Sequence, residues 1–308
     1  MSSYRTSTTM ATAGPSRRPD GRTPAQLRLL HLSIGELDRA DGSARFAFGS
    51  NAVLASCSGP IEVRLREELP DKATFEVNHR PLEGVGATPS RALVTTLETI
   101  FPPILSLEKH PRSLVQLVVQ SLVPSTGRAL YGSVIGAEGV GAEQNTWPAT
   151  DKDDYAYVPE SRRDAARISP AAGYTFTSRA ASINASTLAL LSAGTVSILA
   201  LPIAVALVVT TKGRVMLDPE ADEEKHAKAR FGFGWAWGAA FGTANEENNV
   251  EAAGQSEKGA ELVWIENEGD FTRQEWSEAL QMSRVASKAI LEFIRTQLDA
   301  HLSSHQLS

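Results

Sequence analysis

Between Ala180 and Thr211 the chain carries no charged side chain, and shortly beyond lies the acidic cluster MLDPEADEE, residues 216–224. A run this long exceeds the roughly 20 apolar residues that span a bilayer. Its interior argues against a span, because Asn184, six Ser or Thr residues up to Ser197, Gly194 and Pro202 break it into pieces. It reads instead as two buried elements. The first is a helix over Ala180–Ala193, stopped by Gly194 in the usual position past a helix end. The second is a strand after Pro202, where Ile203, Val205, Leu207 and Val209 alternate with further apolar residues, so that both faces are buried. A charge-free spine delivered to a carboxylate cluster suits a phosphate- or metal-handling site. It equally suits a former site that has become structural.

At 308 residues and 42% hydrophobic, the chain can bury one large core or two modest ones. Its formal net charge of −6 speaks against a broad basic surface, so any RNA contact is local or shared with partners. Cys57 is the single cysteine, which rules out an internal disulfide and a cysteine metal cage. In the strand-like AVLASC it reads as a small core residue. Histidines 31, 79, 110, 226, 301 and 305 show no metal-ligand spacing, and neither a metal nor a cofactor is expected.

Residues 1–17 are rich in Ser, Thr, Ala and Arg and lack acids, a composition that fits a mitochondrial transit peptide and equally a disordered tail. The tail reading is preferred, with a single domain over 18–308. Order is expected from Arg18-Pro19-Asp20-Gly21-Arg22. Leu30, Leu32 and Ile34 alternate as a half-buried strand, and Asp41-Gly42 turns the chain. A returning strand follows with Ala44, Phe46 and Phe48, then a third over Ala52–Cys57 that ends at the Gly59-Pro60 break. Ile61, Val63 and Leu65, then Phe75 and Val77, are further strand candidates. Thr88 caps a helix with Pro89 in its first turn, and Leu114–Val123 is a strongly apolar strand.

Residues 124–177 have no sustained period and read as a long inserted loop, as do residues 236–259. The GAEGVG within the first has the wrong glycine spacing for a dinucleotide fingerprint. FGFGWAWG is either an RNA-stacking patch or, preferred, core packing. A short strand is expected over Glu261–Ile265. Thr272 and Glu275 then have capping-box spacing and open a long helix with an apolar stripe of Trp276, Leu280, Ala286, Ile290, Phe293 and Leu298.

Six blocks in order carry a resemblance: RPDGR (18–22), RADGSARFAFGSNAVLASCSGPIEVR (39–64), SRALVTTLETIF, HPRSLVQLVVQ (110–120), SRAASINASTLALLSAG (178–194) and MLDPEADEE. Together the chain resembles the RNase PH family, in the branch that forms the exosome ring. The resemblance implies an α+β fold of two β-α-β-α halves, here with the two loop insertions. It implies partnership with other RNase PH-like ring subunits, with RNA-binding cap subunits, and with RNA through the assembled channel. It also implies residence in nucleus, nucleolus and cytoplasm, with no membrane partner.

Active members of that family use phosphate as the nucleophile to shorten RNA from its 3′ end, with two arginines for phosphate and two aspartates near a divalent metal. By resemblance, Arg179 matches one arginine, preceded here by Thr177-Ser178, and Asp218 matches the first aspartate. Thr95 falls where the other arginine belongs, and Glu224 replaces the second aspartate. A charged hydrogen bond is worth about 1.5–3 kcal/mol and threonine cannot supply it, while misplacing a carboxylate by about 1 Å can cost about a hundredfold in rate. The expectation is a non-catalytic structural subunit, with Asp218 and Glu224 a degenerate site, Arg179, Ser178 and Thr95 a phosphate-binding vestige, and no metal. The alternatives are an active phosphate-dependent exoribonuclease in which Arg22 or Arg91 takes over phosphate binding, and an unrelated binding module.

Overall fold

The computed structural model describes residues 18, 20–82, 88–123, 174–238 and 260–305. Residues 1–17 and 124–173, most of the expected tail and insertions, lie outside that set, as do 239–259. The first half of the chain supplies strands β1 (Leu30–Ile34), β2 (Gly42–Phe48), β3 (Asn51–Glu62) and β4 (Thr74–Arg80), helix α1 (Thr88–Ile100), strand β5 (Ser113–Ser121) and helix α2 (Phe176–Ala193). The second supplies β6 (Leu201–Val209), β7 (Val215–Leu217), the short α3 (Ala221–Lys225), β8 (Ala229–Trp237), β9 (Ala260–Gly269) and α4 (Arg273–His305). Each half runs strands, helix, strands, helix, as the α+β reading requires.

The first sheet has the order β1-β2-β3-β5-β4, antiparallel except where β4 joins β5, and the second the order β7-β6-β8-β9. Helix α2 lies between them, against β2 and β3 on one side and β6 and β8 on the other, while α4 packs on β6, β7 and β8. The alternation in β2 explains the first contact: Ala44, Phe46 and Phe48 are buried, whereas Arg45 is exposed. Gly42 is needed there, because a Cβ would sit 2.2 Å from the Ala193 nitrogen of α2. In β8, Phe231 and Phe233 pack on Trp276 of α4, and Trp235 Nε1 donates to Ser283. On the opposite face, Trp264 of β9 lies across Gly232, where a Cβ would come within 2.3 Å of its ring. FGFGWAWG is therefore core, and Phe231 and Phe233 are closed to RNA.

The polar residues inside the charge-free run have a specific task. Along the part of β6 that β7 does not reach, Asn184 Nδ2 donates to the Ala204 carbonyl at 3.0 Å, and the Ala204 amide donates back to Asn184 Oδ1 at 2.7 Å. Thr187 Oγ1 donates to the Pro202 carbonyl at 2.8 Å. The helix thus supplies the bonds a neighbouring strand would have made, as buried backbone groups demand. Among the described residues no helix is long and apolar enough to cross a membrane.

Four boundaries differ from expectation. Strand β3 does not stop at Gly59-Pro60 but passes it with a register shift between Ser58 and Ile61, and Val63 and Leu65 lie beyond its end. Helix α2 starts at Phe176, inside the expected 124–177 loop, because Thr175 caps it by accepting from the Ser178 amide. Strand β8 continues to Trp237, past the expected loop start at 236, since its pairing with β6 continues to Leu201. Strand β9 is twice the expected length because it pairs with β8 out to Gly269. The capping box of α4 is as read: the Thr272 amide donates to Glu275 Oε2 and the Glu275 amide to Thr272 Oγ1.

Candidate functional site

The loop after β7 turns sharply at Asp218, whose φ of +47° is rare for any residue but glycine and best tolerated by Asp and Asn. The turn points its carboxylate inward, at 2% side-chain exposure, onto the segment that follows the RPDGR block. Arg28 grips it: Nη2 donates to Oδ1 at 2.6 Å, Nε to Oδ2 at 2.9 Å and the backbone amide to Oδ2 at 2.8 Å. Burial alone would lower the Arg28 pKa, but the hydrogen bond and charge of Asp218 outweigh it and raise it. Arg22 Nη1 approaches Asp218 Oδ2 at 3.6 Å and donates to the Asp218 carbonyl at 3.1 Å, while its Nε pairs with Asp20. Arg18 donates to the Leu217 carbonyl at 2.6 Å and pairs with Glu223 at 3.4 Å. Three arginines thus clamp one loop.

Glu224 reaches the amino end of α2. Its Oε2 accepts from the Phe176 amide at 2.8 Å, and its Oε1 from the Thr177 amide at 3.0 Å and the Thr177 hydroxyl at 2.7 Å. Burial pushes its pKa up, while the donors on Thr177 and Phe176 pull the other way. A carboxylate at a helix amino end fills the place where backbone amides would hold an external anion. Arg179, one residue on from Ser178, is 4% exposed; it pairs with Glu266 of β9 and its guanidinium lies 5.3 Å from the Phe176 ring centroid.

A cavity of about 150 Å³ opens beside this network, lined by Arg28, Ser50, Asn51, Thr175, Thr177, Ser178, Pro219 and Asp222 among others. Of the five residues expected to form the vestigial site, only Ser178 lines it. Asp218 and Glu224 sit beneath it, bound to different partners. Arg179 is turned away onto β9. Thr95 is exposed on α1, its hydroxyl donating to the Arg91 carbonyl, and Arg91 is also on the outside of that helix. Neither replacement arginine serves: Arg22 Nε and Nη1 are held within its own turn and by the Asp218 loop, and its Nη2 is buried.

The divalent metal that the family's chemistry implies does not fit these residues. Both Asp218 oxygens are hydrogen-bonded by Arg28, Glu224 is committed to α2, and no group of three His, Cys, Asp or Glu converges among the described residues. The two residues that occupy Asp218 and Arg179, namely Arg28 and Glu266, carry no signal in the sequence, because their partners lie 190 and 87 positions away.

Residues 26–195 match the model described as 3′ exoribonuclease family, domain 1. The chain is 27% identical over 281 residues to the exosome complex exonuclease RRP46 homolog of Oryza sativa subsp. japonica, covering 91% of this chain and 95% of that protein. It is 36% identical over 93 residues to the exosome complex component RRP46 of Saccharomyces cerevisiae, a match spanning 30% of this chain and 42% of the yeast protein. The crystal structure of rice Rrp46 superposes with a TM-score of 0.62 at 23% identity, covering 92% of this chain and 100% of that one.

Proposed function

Because the chain belongs to the 3′ exoribonuclease family, we propose that it is a non-catalytic, structural subunit of an exosome core ring. In that role it supports 3′–5′ RNA processing and degradation, rRNA maturation included, performed elsewhere in the complex. The full-length likeness to Rrp46-type relatives supports the ring assignment. Its partners are other RNase PH-like ring subunits, RNA-binding cap subunits, and RNA passing through the assembled channel, with no membrane partner. Nucleus, nucleolus and cytoplasm are the compartments this reading assigns.

One observation carries the non-catalytic half of the proposal. Each charged group that would serve phosphorolysis is neutralised from within: Asp218 by Arg28, Arg179 by Glu266, and the amino end of α2 by Glu224. Phosphate and the RNA backbone are both anions, and bringing them together needs several free positive groups at once. Freeing Arg28 would break a buried pair, at a cost of about 3–5 kcal/mol. The purified chain, given RNA, inorganic phosphate and magnesium or manganese, should release no nucleoside diphosphates. Phosphate-dependent release by the wild-type chain, lost on substituting Arg179, would replace this reading with the enzymatic one. The ring half is tested by co-expression: the chain should purify with another subunit of its fold.

A further inference from the structure

Three turns meet at one end of the second sheet. The first, residues 210–214, joins β6 to β7 and is closed by the Gly213 amide donating to the Thr210 carbonyl at 2.9 Å. The second leads from α3 into β8, and its Lys228 amide donates to the Val209 carbonyl at 2.8 Å. The third leads from β9 into α4 and passes against the second, since a Cβ on Gly269 would sit 2.3 Å from the Lys228 carbonyl oxygen. Glu275 of α4 ties them together. Its two carboxylate oxygens accept from Lys228 Nζ at 3.1 and 3.2 Å, Oε2 also accepts from the Thr272 amide, and Oε1 lies 3.3 Å from where a Cβ of Gly213 would stand.

The charge at this end is nearly of one sign. Lys212, Arg214, Lys225 and Arg273 are exposed around half-buried Lys228. The acids among them are Glu275, already taken by Lys228, and exposed Asp270. Glu268 is paired with Arg230, and Asp222 lines the cavity beside the Asp218 loop. Such a cluster stands out in a chain of formal net charge −6. The connection from β3 to β4 is as highly charged, but there Arg64, Arg66 and Lys72 are offset by Glu67, Glu68 and Asp71. Phe271, in the third turn, is 37% exposed and is the one exposed aromatic ring among the described residues; one face of it stacks on Trp276.

We propose that this end of the second sheet docks a short acidic segment of a partner protein that is not of this fold. Its carboxylates lie on Lys212, Arg214 and Arg273, and an apolar side chain between them rests on Phe271. The site is separate from the ring assignment and does not depend on it. The three turns are held by Glu275 before any partner arrives, so little ordering is left to oppose binding. An extended segment advances about 3.3 Å per residue, and its carboxylates can meet cations on different turns while passing over Asp270. A nucleic-acid strand carries a phosphate on every nucleotide, and its sites combine a positive groove along the backbone with a series of stacking rings. Here the cations form one compact group, Asp270 interrupts it, and the single exposed ring has a face closed by Trp276.

The test uses the full chain and a fluorescent peptide of glutamates and aspartates interrupted by leucines, followed by anisotropy. Saturable binding is expected, weaker when serine replaces leucine. It should fall steeply between about 0.01 and 0.1 M salt, where the screening length shortens from about 30 to about 10 Å. Lys212→Glu/Arg273→Glu should melt like wild type, since an acid suits the first turn of a helix, and should bind at least about tenfold more weakly. Lys72→Glu/Lys109→Glu, in the region of mixed charge, should bind normally. Should the first variant misfold, carbodiimide coupling of the peptide carboxylates to the wild-type chain gives the second measurement, with Lys212 and Lys225 the expected points of attachment. Absence of binding, wild-type affinity in the folded first variant, coupling confined to other lysines, or tighter binding of a single-stranded uridine oligonucleotide than of the peptide overturns the proposal and leaves the ring assignment intact.

Discussion

Replacing Asp218 by asparagine is expected to weaken the fold and spare the RNA-degrading activity of an assembled complex. The side chain keeps its shape, and with its oxygen in the Oδ2 place it still accepts from the Arg28 amide and Nε, but the nitrogen in the Oδ1 place cannot accept from Nη2, which now donates at 2.6 Å. The Arg28 charge, at 11% side-chain exposure, is left without a counter-charge and faces a donor, and Arg22 loses the negative charge it approaches at 3.6 Å. Removing one partner of a buried ion pair costs about 3–5 kcal/mol, a large share of a total stability of about 5–15 kcal/mol. For a chain of this size that corresponds to a fall in melting temperature of roughly 10 °C, at about 2–4 °C per kcal/mol. Urea unfolding of Asp218→Asn, of Arg28→Met and of the double variant gives the coupling, expected above about 1.5 kcal/mol because the second substitution removes the stranded charge. Wild-type stability in Asp218→Asn, or an intact fold with lost RNA degradation, would refute the structural account of this carboxylate.

Asn184→Ala leaves the amide and carbonyl of Ala204 buried without their partners; at about 1–3 kcal/mol for each unsatisfied group, the urea midpoint should fall by the equivalent of about 2–6 kcal/mol. His79 sits between the hydroxyls of Ser90 and Ser121, and burial lowers its pKa from 6.5 to about 4. The unfolded chain therefore takes up the proton first, so the stability from this group is present above pH 6.5 and is lost as pH falls toward 4. Between pH 7 and pH 5 it should account for about 1–2 kcal/mol of lost stability, read as a drop in melting temperature that flattens in His79→Asn.

The elements that were legible in the sequence share a local cause. The two buried faces of β6, the stop at Gly194 and the Thr272/Glu275 box each depend on residues within a few positions of one another. The misses have distant causes. Helix α2 begins at Phe176 because Thr175 caps it and Glu224, nearly fifty positions later, accepts from its first amides. Strand β3 passes Gly59-Pro60 because β5 pairs with it on both sides of the irregularity. For the site, the matched positions could be named, but not their partners: an arginine in QLRLLHLS carries no mark of the aspartate it will hold 190 residues later.

The burial of α2 on every side from Phe176 to Leu190 also bears on how the molecule can move. Both sheets rest on one shared rod, so the halves have no seam along which to part. Loosening either half strips that rod of cover, and the other half loses its support at the same moment. Such a body transmits push and twist from one flank to the other without yielding, which suits a stone in an arch better than a jaw that opens and closes.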